Sequence, residues 1–88
     1  TMTAPPPIRL DQLQPNQLAC VSHIEATDED AERLMALGVC MGRHIQLIQP
    51  GDPLILKVFS SRVGLSARLA ARVFVAPLPQ GSEIPYAD

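Results

Sequence analysis

Four side chains of this sequence belong to the types that bind transition metals: Cys20, His23, Cys40 and His44. Strong metal motifs place such ligands in Cys-x-x-Cys or His-x-x-x-His pairs. No such pair occurs here, so the spacing favours surface imidazoles and partly buried thiols over a site within one chain. In a site shared between two copies, each chain needs to supply only two ligands. Such a site would hold zinc or iron(II), with Glu25 or Asp52 as an added carboxylate.

Residues with the chemistry of enzyme nucleophiles are also present, but without partners. Ser60, Ser61 and Ser66 have no His and Asp in an order or spacing that would activate a hydroxyl. The glycines are dispersed, which fits turns and a strand and does not fit a phosphate-binding loop. We therefore predict no catalytic residue, no cofactor-binding residue and no enzymatic activity.

Basic residues gather in the last third of the chain, where Arg62, Arg68 and Arg72 follow Lys57. They form either an ordinary solvated surface or a modest basic face for an acidic partner. The formal net charge is −2, and Phe59 is the only aromatic residue interleaved with these cations. Because nucleic-acid binding draws on neutralised phosphates and on stacking, both observations disfavour that partner.

A run of soft apolar residues favours protein binding instead. Leu37, Val39, Cys40 and Met41 follow one another where a predicted helix ends and a turn begins. Part of this run must fill the core, but residues in a turn can remain exposed, and thioether surfaces adapt to partners. We name these four residues the helix-exit patch and predict that it docks on a partner protein.

One helix and several short strands must position these side chains. Thr27 is placed to cap a helix through its hydroxyl and the Asp30 amide, and residues 28–30 put negative charge in the first turn. Gly38 suits the left-handed position after the last turn. Alternating apolar residues predict strands at 17–24, 44–49, 54–59, 62–66 and 72–76, with an irregularity near His23 and turns at 50–53 and 60–61. Short helical turns are predicted at 10–13 and 66–71.

Length and composition fit a single small domain. The chain has 88 residues, 47% of them apolar, with no Trp. We predict a mainly β, partly open barrel at 9–76, a flexible proline-rich leader at 1–8 and a flexible tail at 77–88. No apolar run is long enough to span a bilayer, and no signal peptide is visible, so we expect Met2 to be the natural start of a cytoplasmic protein with reduced thiols.

The ordered set of these features resembles the ferrous iron transport protein A (FeoA) family. The resemblance covers Leu10 to Val75, and Asn16 and Ser60 or Ser61 depart from it at turn positions where glycine is common. The segments that carry it are Leu10-x-x-Leu13, Ala19-x-Val21-x-x-Ile24, Leu34-x-x-Leu37-Gly38-Val39-x-x-Gly42, Ile45-x-Leu47, Gly51-Asp52-Pro53-Leu54, and Val63-x-Leu65-x-x-x-x-Ala70-x-x-Val73-x-Val75.

The resemblance implies an SH3-like barrel with one main helix. It also implies a small bacterial accessory protein of iron uptake that binds, and activates or stabilises, a large membrane ferrous-iron permease with a cytoplasmic GTP-binding domain. It implies no required cofactor, no nucleic acid and no direct membrane insertion, and it leaves a homo-oligomer open. The alternative is a metal-responsive regulatory module, because the C-terminal SH3-like module of iron-dependent repressors is a close relative of the family.

Overall fold

The computed structural model of the chain describes residues 6–79, and residues 1–5 and 80–88 lie outside the described part. Most of the predicted leader and tail therefore falls outside the described residues. Two of their residues are ordered parts of the sheet: Ile8 pairs with Val75, and Pro77 pairs with Ala19. The paired region thus extends beyond the predicted 9–76 barrel at both ends.

Six strands and three short helical elements make up the described chain. They are β1 (Ile8–Arg9), a 3₁₀ turn (Leu10–Gln12), β2 (Leu18–Ile24), α1 (Asp28–Ala36), β3 (His44–Gln49), β4 (Leu54–Val58), β5 (Ser61–Leu65), α2 (Ala67–Ala70) and β6 (Val73–Pro77). The strands form one antiparallel sheet in the order β1-β6-β2-β3-β4-β5, with β1 and β5 at its two ends. This open sheet with one main helix confirms the predicted mainly β, SH3-like fold.

One face of the sheet forms an aliphatic core, as the strand alternation predicts. In β4, Leu54, Leu56 and Val58 are buried while Lys57 between them is exposed. Among residues 6–79, no polar or charged side chain is buried. The other core residues are Leu10, Leu13, Ala19, Val21, Leu34, Val39, Ile45, Leu47, Leu65, Leu69, Ala70, Val73 and Val75.

Helix α1 ends in a Schellman motif that aims the following chain into the core. Gly38 has φ 89° and donates its amide to the carbonyl of Met35 at 2.9 Å. Val39 donates to the carbonyl of Leu34, also at 2.9 Å, and both of these side chains are fully buried. This is the pair of hydrogen bonds, with its apolar contact, that defines the motif. It confirms the left-handed glycine predicted at this position.

Two local predictions are wrong. Thr27 precedes α1, but its hydroxyl makes no capping hydrogen bond, so the acidic first turn stabilises the helix start without it. The β4–β5 hairpin turns at Phe59 and Ser60, because Ser61 already pairs with Val58 in the ladder. The predicted irregularity near His23 is confirmed as a register shift between Val21 and His23.

Candidate functional site

His23 lies at the bulge of β2 and is brought next to Glu25. Its Nε2 lies 3.2 Å from Oε2 of Glu25, and both side chains are more than half exposed. The imidazole ring also lies 6.0 Å from the ring of Phe74 on β6. These two side chains are the accessible pair of ligand types that a shared metal site would require.

His44 and Cys20 occupy facing positions on β3 and β2. Both are half-buried, and Cys20 Sγ makes a weak contact of 3.8 Å with the carbonyl of Val21. Asp52 lies at the opposite end of β3 from His44, where its Oδ1 accepts from the amide of Ala67 at 3.1 Å. The structure therefore separates His44 from Asp52, one of the two carboxylates considered as added ligands.

Cys40 is half-buried and forms no disulfide within the described residues, and its Sγ accepts from Nη2 of Arg43 at 3.4 Å. Within residues 6–79, no group of three or more His, Cys, Asp or Glu side chains is arranged to hold a metal ion. A site shared between two copies thus stays a prediction.

The helix-exit patch contains both core and surface residues. Val39 has no exposed surface and belongs to the core, so it cannot contact a partner. Leu37 and Cys40 are half-buried, whereas Met41 is 67% exposed. A shallow depression of about 240 Å³ lies beside Met41, bounded by residues 40–44. The accessible part of the patch is therefore centred on Met41.

Phe59 adds an exposed aromatic ring to this region. It is 49% exposed, and the guanidinium carbon of Arg43 lies 4.0 Å from the centre of its ring. Its φ of 57° is a left-handed conformation that bulky residues rarely adopt. Sequence reasoning missed the turn position of Phe59 because it placed the hairpin turn one residue too late, and the contact of Arg43 with Phe59 depends on the pairing of β3 with β4.

The basic residues of the last third separate into different surroundings. Lys57 and Arg62 face each other across β4 and β5, both exposed. Arg68 instead pairs with Asp30 of α1, with Nη1 2.8 Å from Oδ2. Arg72 precedes β6, several strands away from β5 in the sheet. Of the predicted cations, Lys57 and Arg62 therefore lie together, and Arg43, which was not part of the predicted basic face, contacts Phe59 at the tip of the same hairpin.

The Asp30–Arg68 pair is a structural ion pair. The hydrogen bond from Arg68 lowers the pKa of the Asp30 carboxyl, and Asp30 in turn raises the pKa of the guanidinium. Ser66 is similarly structural, because its Oγ accepts from the amide of Leu69 at the start of α2. In the described part of the chain, neither the Asp30–Arg68 pair nor Ser66 is placed to take part in activating a nucleophile.

A groove of about 570 Å³, which the sequence did not predict, lies beside the start of β2 and the end of β6. Its lining side chains are uncharged, so it offers volume without ionisable chemistry. They are Gln14, Pro15, Asn16, Gln17, Leu18, Gln46, Leu78 and Pro79. In the described part of the chain, neither helix has the length and apolar character needed to cross a membrane.

A family model and solved structures of similar proteins point to the same family. The FeoA domain family matches residues 8–77. An iron uptake regulatory protein (FeoA) with a known crystal structure has 25% sequence identity with this chain and a TM-score of 0.79. The match covers 83% of this chain and 100% of that protein's chain. FeoA of Stenotrophomonas maltophilia is 29% identical over 77% of this chain and 88% of its own, with a TM-score of 0.68. That protein was solved with zinc and is described as a unique procaryotic SH3 domain protein and a candidate ferrous iron transport activating factor.

A repressor shares the fold alone. The IdeR protein of T. acidophilum is 20% identical and has a TM-score of 0.78, with the match covering 88% of this chain and 37% of the repressor. No curated protein sequence matches the chain.

Proposed function

We infer that this chain, which belongs to the FeoA domain family, is a small accessory protein of ferrous iron uptake. It binds the membrane permease that carries a cytoplasmic GTP-binding domain, and it activates or stabilises that permease. It works in the cytoplasm as a non-enzymatic adaptor, without nucleic acid and without inserting into the membrane.

The observation that carries the proposal is the extent of the family match. Residues 8–77 run from the first residue of β1 to the last residue of β6, so the match includes every described strand.

Co-purification with the permease tests the proposal. We expect the tagged chain to retain the permease from detergent-solubilised membranes, and we expect nucleotide bound to the GTP-binding domain to change the amount retained. Absence of retention with GTP, with GDP and without nucleotide would contradict the adaptor role.

We place the docking residue at Met41, together with the half-buried Leu37 and Cys40. An exposed thioether in a turn can adapt to a partner surface at little cost to the fold. Met41→Asp should therefore abolish retention while leaving the thermal unfolding transition unchanged. Met35→Asp is the matched control, because Met35 is equally exposed on α1 but outside the patch.

The adaptor role requires no cofactor, and a divalent metal is a separate proposal. Zinc or iron(II) would be held between two copies by His23 and Glu25 of each, because these side chains are adjacent and accessible. The zinc complex of the Stenotrophomonas maltophilia protein supports a test of this idea. Calorimetry should show submillimolar binding of Zn²⁺ with dimer formation, and His23→Ala should remove both. Binding that His23→Ala leaves unchanged would point to Cys20, Cys40 or His44.

The alternative proposal is a metal-responsive regulatory module of the kind found in iron-dependent repressors. Only the fold supports it, since the repressor match is 20% identical and covers 37% of the repressor chain. A regulatory module should bind the DNA-binding portion of a repressor in a metal-dependent way. The adaptor should bind the permease whether or not metal is added.

A further inference from the structure

The β4–β5 hairpin presents exposed cations that form no ion pair with the described carboxylates. Lys57 and Arg62 are exposed and directly opposite each other, and Arg43 reaches the tip of the same hairpin by stacking on Phe59. We call Arg43, Lys57, Phe59 and Arg62 the hairpin face. Within residues 6–79, none of its three cations lies within ion-pair distance of a carboxylate.

Carboxylates are absent from the surrounding sequence as well. Between Arg33 and Pro79 the only acidic residue is Asp52, at the far end of β4 from Phe59. Asp52 is also engaged with the amide of Ala67. The acidic residues instead concentrate at residues 28–32 of α1. The hairpin face is therefore positive although the whole chain has a net charge of −2.

Two features of the hairpin face cost stability in the isolated chain. Like charges directly opposite on neighbouring strands repel each other. Phe59 holds a left-handed conformation at the turn position where glycine is favoured. A charge on the terminal strand β5 guards against unwanted strand pairing, which accounts for Arg62. That reason does not account for Phe59, because an exposed aromatic ring promotes association. Strain of this kind is characteristic of sites that bind.

We propose that the hairpin face is a docking surface for an acidic segment of a partner polypeptide. The carboxylates of that segment pair with Lys57 and Arg62, and one of its apolar side chains packs on Phe59 beside Arg43. Arginine and aromatic residues are the side chains that most often dominate binding energy at protein interfaces. This inference rests on the proposed function only in that the chain binds another protein.

The number of cations favours a polypeptide over other anionic partners. Stable recognition of anionic lipid surfaces commonly takes clusters of about four to eight Lys and Arg, and tight DNA binding takes about six to ten phosphate contacts. The hairpin face offers three cations. Three cations beside an exposed ring match a short acidic and apolar segment.

Amide chemical-shift mapping of the full chain tests the proposal with defined probes. The first probe is a short synthetic peptide that alternates Glu and Leu, and the second replaces each Glu by Lys. The acidic peptide should shift the amides of Arg43, Lys57, Phe59 and Arg62 in a saturable way, and salt should weaken its binding. The Lys peptide should leave these amides unshifted.

Variants separate the hairpin face from general attraction between charges. Lys57→Glu combined with Arg62→Glu should weaken binding of the acidic peptide about tenfold or more. Arg72→Glu makes the same change of residue type at an exposed arginine in the turn before β6 and should change binding less than about twofold. Lys57→Gln with Arg62→Gln removes the repulsion between the two cations, so it gives a folded second test that should also lose binding.

Several outcomes would overturn the proposal. These are no saturable shifts, shifts centred elsewhere, equal weakening by Arg72→Glu, or a preference of this face for duplex DNA or for phosphatidylserine vesicles over the acidic peptide. Intact peptide binding without retention of the permease would count against the proposed function alone. Undiminished binding of the acidic peptide by the double Glu variant would count against the hairpin face alone.

Discussion

Arg68 of α2 donates to both carboxylate oxygens of Asp30 in α1. Nη1 lies 2.8 Å from Oδ2 and Nη2 lies 3.2 Å from Oδ1. The two residues are 38 positions apart, so this bidentate pair joins the two helices directly. Asp30 keeps 21% of its side-chain surface exposed, against 63% for Arg68. Solvent therefore screens the pair, and its main effect is to fix geometry.

The Asp30–Arg68 pair predicts a pH dependence of stability with a definite sign. The hydrogen bond from Arg68 lowers the pKa of Asp30 from its ordinary value of 3.8. The stabilisation is therefore fully present above that value and is lost as the pH falls through the lower pKa of the folded state. Asp30→Asn should reduce the free energy of unfolding at pH 7, and the difference from the parent chain should vanish at strongly acidic pH.

Urea unfolding across this pH range measures the effect of Asp30→Asn. Glu32→Gln is the control, because it removes an exposed carboxylate from the same helix outside the pair. A difference for Asp30→Asn that stays constant down to the acid limit would show that the charge of Asp30 is not what stabilises the fold.

Loss of the hydroxyl that precedes each helix should lower the free energy of unfolding by different amounts. Ser66 accepts from the amide of Leu69 at 3.2 Å, whereas Thr27 makes no capping hydrogen bond with its side chain. Ser66→Ala should cost about 1 kcal/mol of unfolding free energy. Thr27→Ala should cost clearly less, as measured by the same urea titration. Equal losses would mean that Thr27 caps α1 in solution.

Gly38 and Gly42 both have a left-handed backbone, and replacing each by alanine should destabilise the chain to a different degree. Alanine at Gly38 or Gly42 adopts a left-handed conformation at a cost of about 1–2 kcal/mol. At Gly38 the added methyl would also lie 3.2 Å from Cγ1 of Val58, while at Gly42 nothing lies within 4 Å. Gly38→Ala should therefore lower the thermal midpoint more than Gly42→Ala. The reverse order would contradict the close packing of Gly38 against β4.

Apolar periodicity was enough to predict most of the fold. Alternation identified the buried row Leu54, Leu56 and Val58, and the glycine after α1 identified the helix end. Strand β1 was missed because Ile8 and Arg9 form too short a run to show alternation. They become a strand by pairing with Phe74 and Val75, a contact distant in sequence.

The candidate site was less predictable because it depends on pairing between distant residues. Lys57 and Arg62 were recognised as cations near each other in sequence. Their direct opposition required the hairpin register, which the misplaced turn obscured. Phe59 carries no local signal for a left-handed conformation, since aromatic residues are typical of strands. Val39 was assigned to the docking patch because sequence spacing does not separate a buried Schellman residue from an exposed turn residue.

Phe59 gives the last prediction, because its left-handed conformation costs stability while its ring stacks against Arg43. Asn tolerates left-handed backbone, so Phe59→Asn should recover part of the roughly 1–2 kcal/mol of strain while losing about 0.5–1 kcal/mol of cation–π attraction to Arg43. We therefore expect an unfolding free energy within about 1 kcal/mol of that of the parent chain. Phe74→Asn is the control, because Phe74 is half-buried within β6 and its loss should destabilise the sheet. If Phe59→Asn destabilises the chain as much as Phe74→Asn does, the ring stabilises the free protein, and its strain gives no support to a docking role.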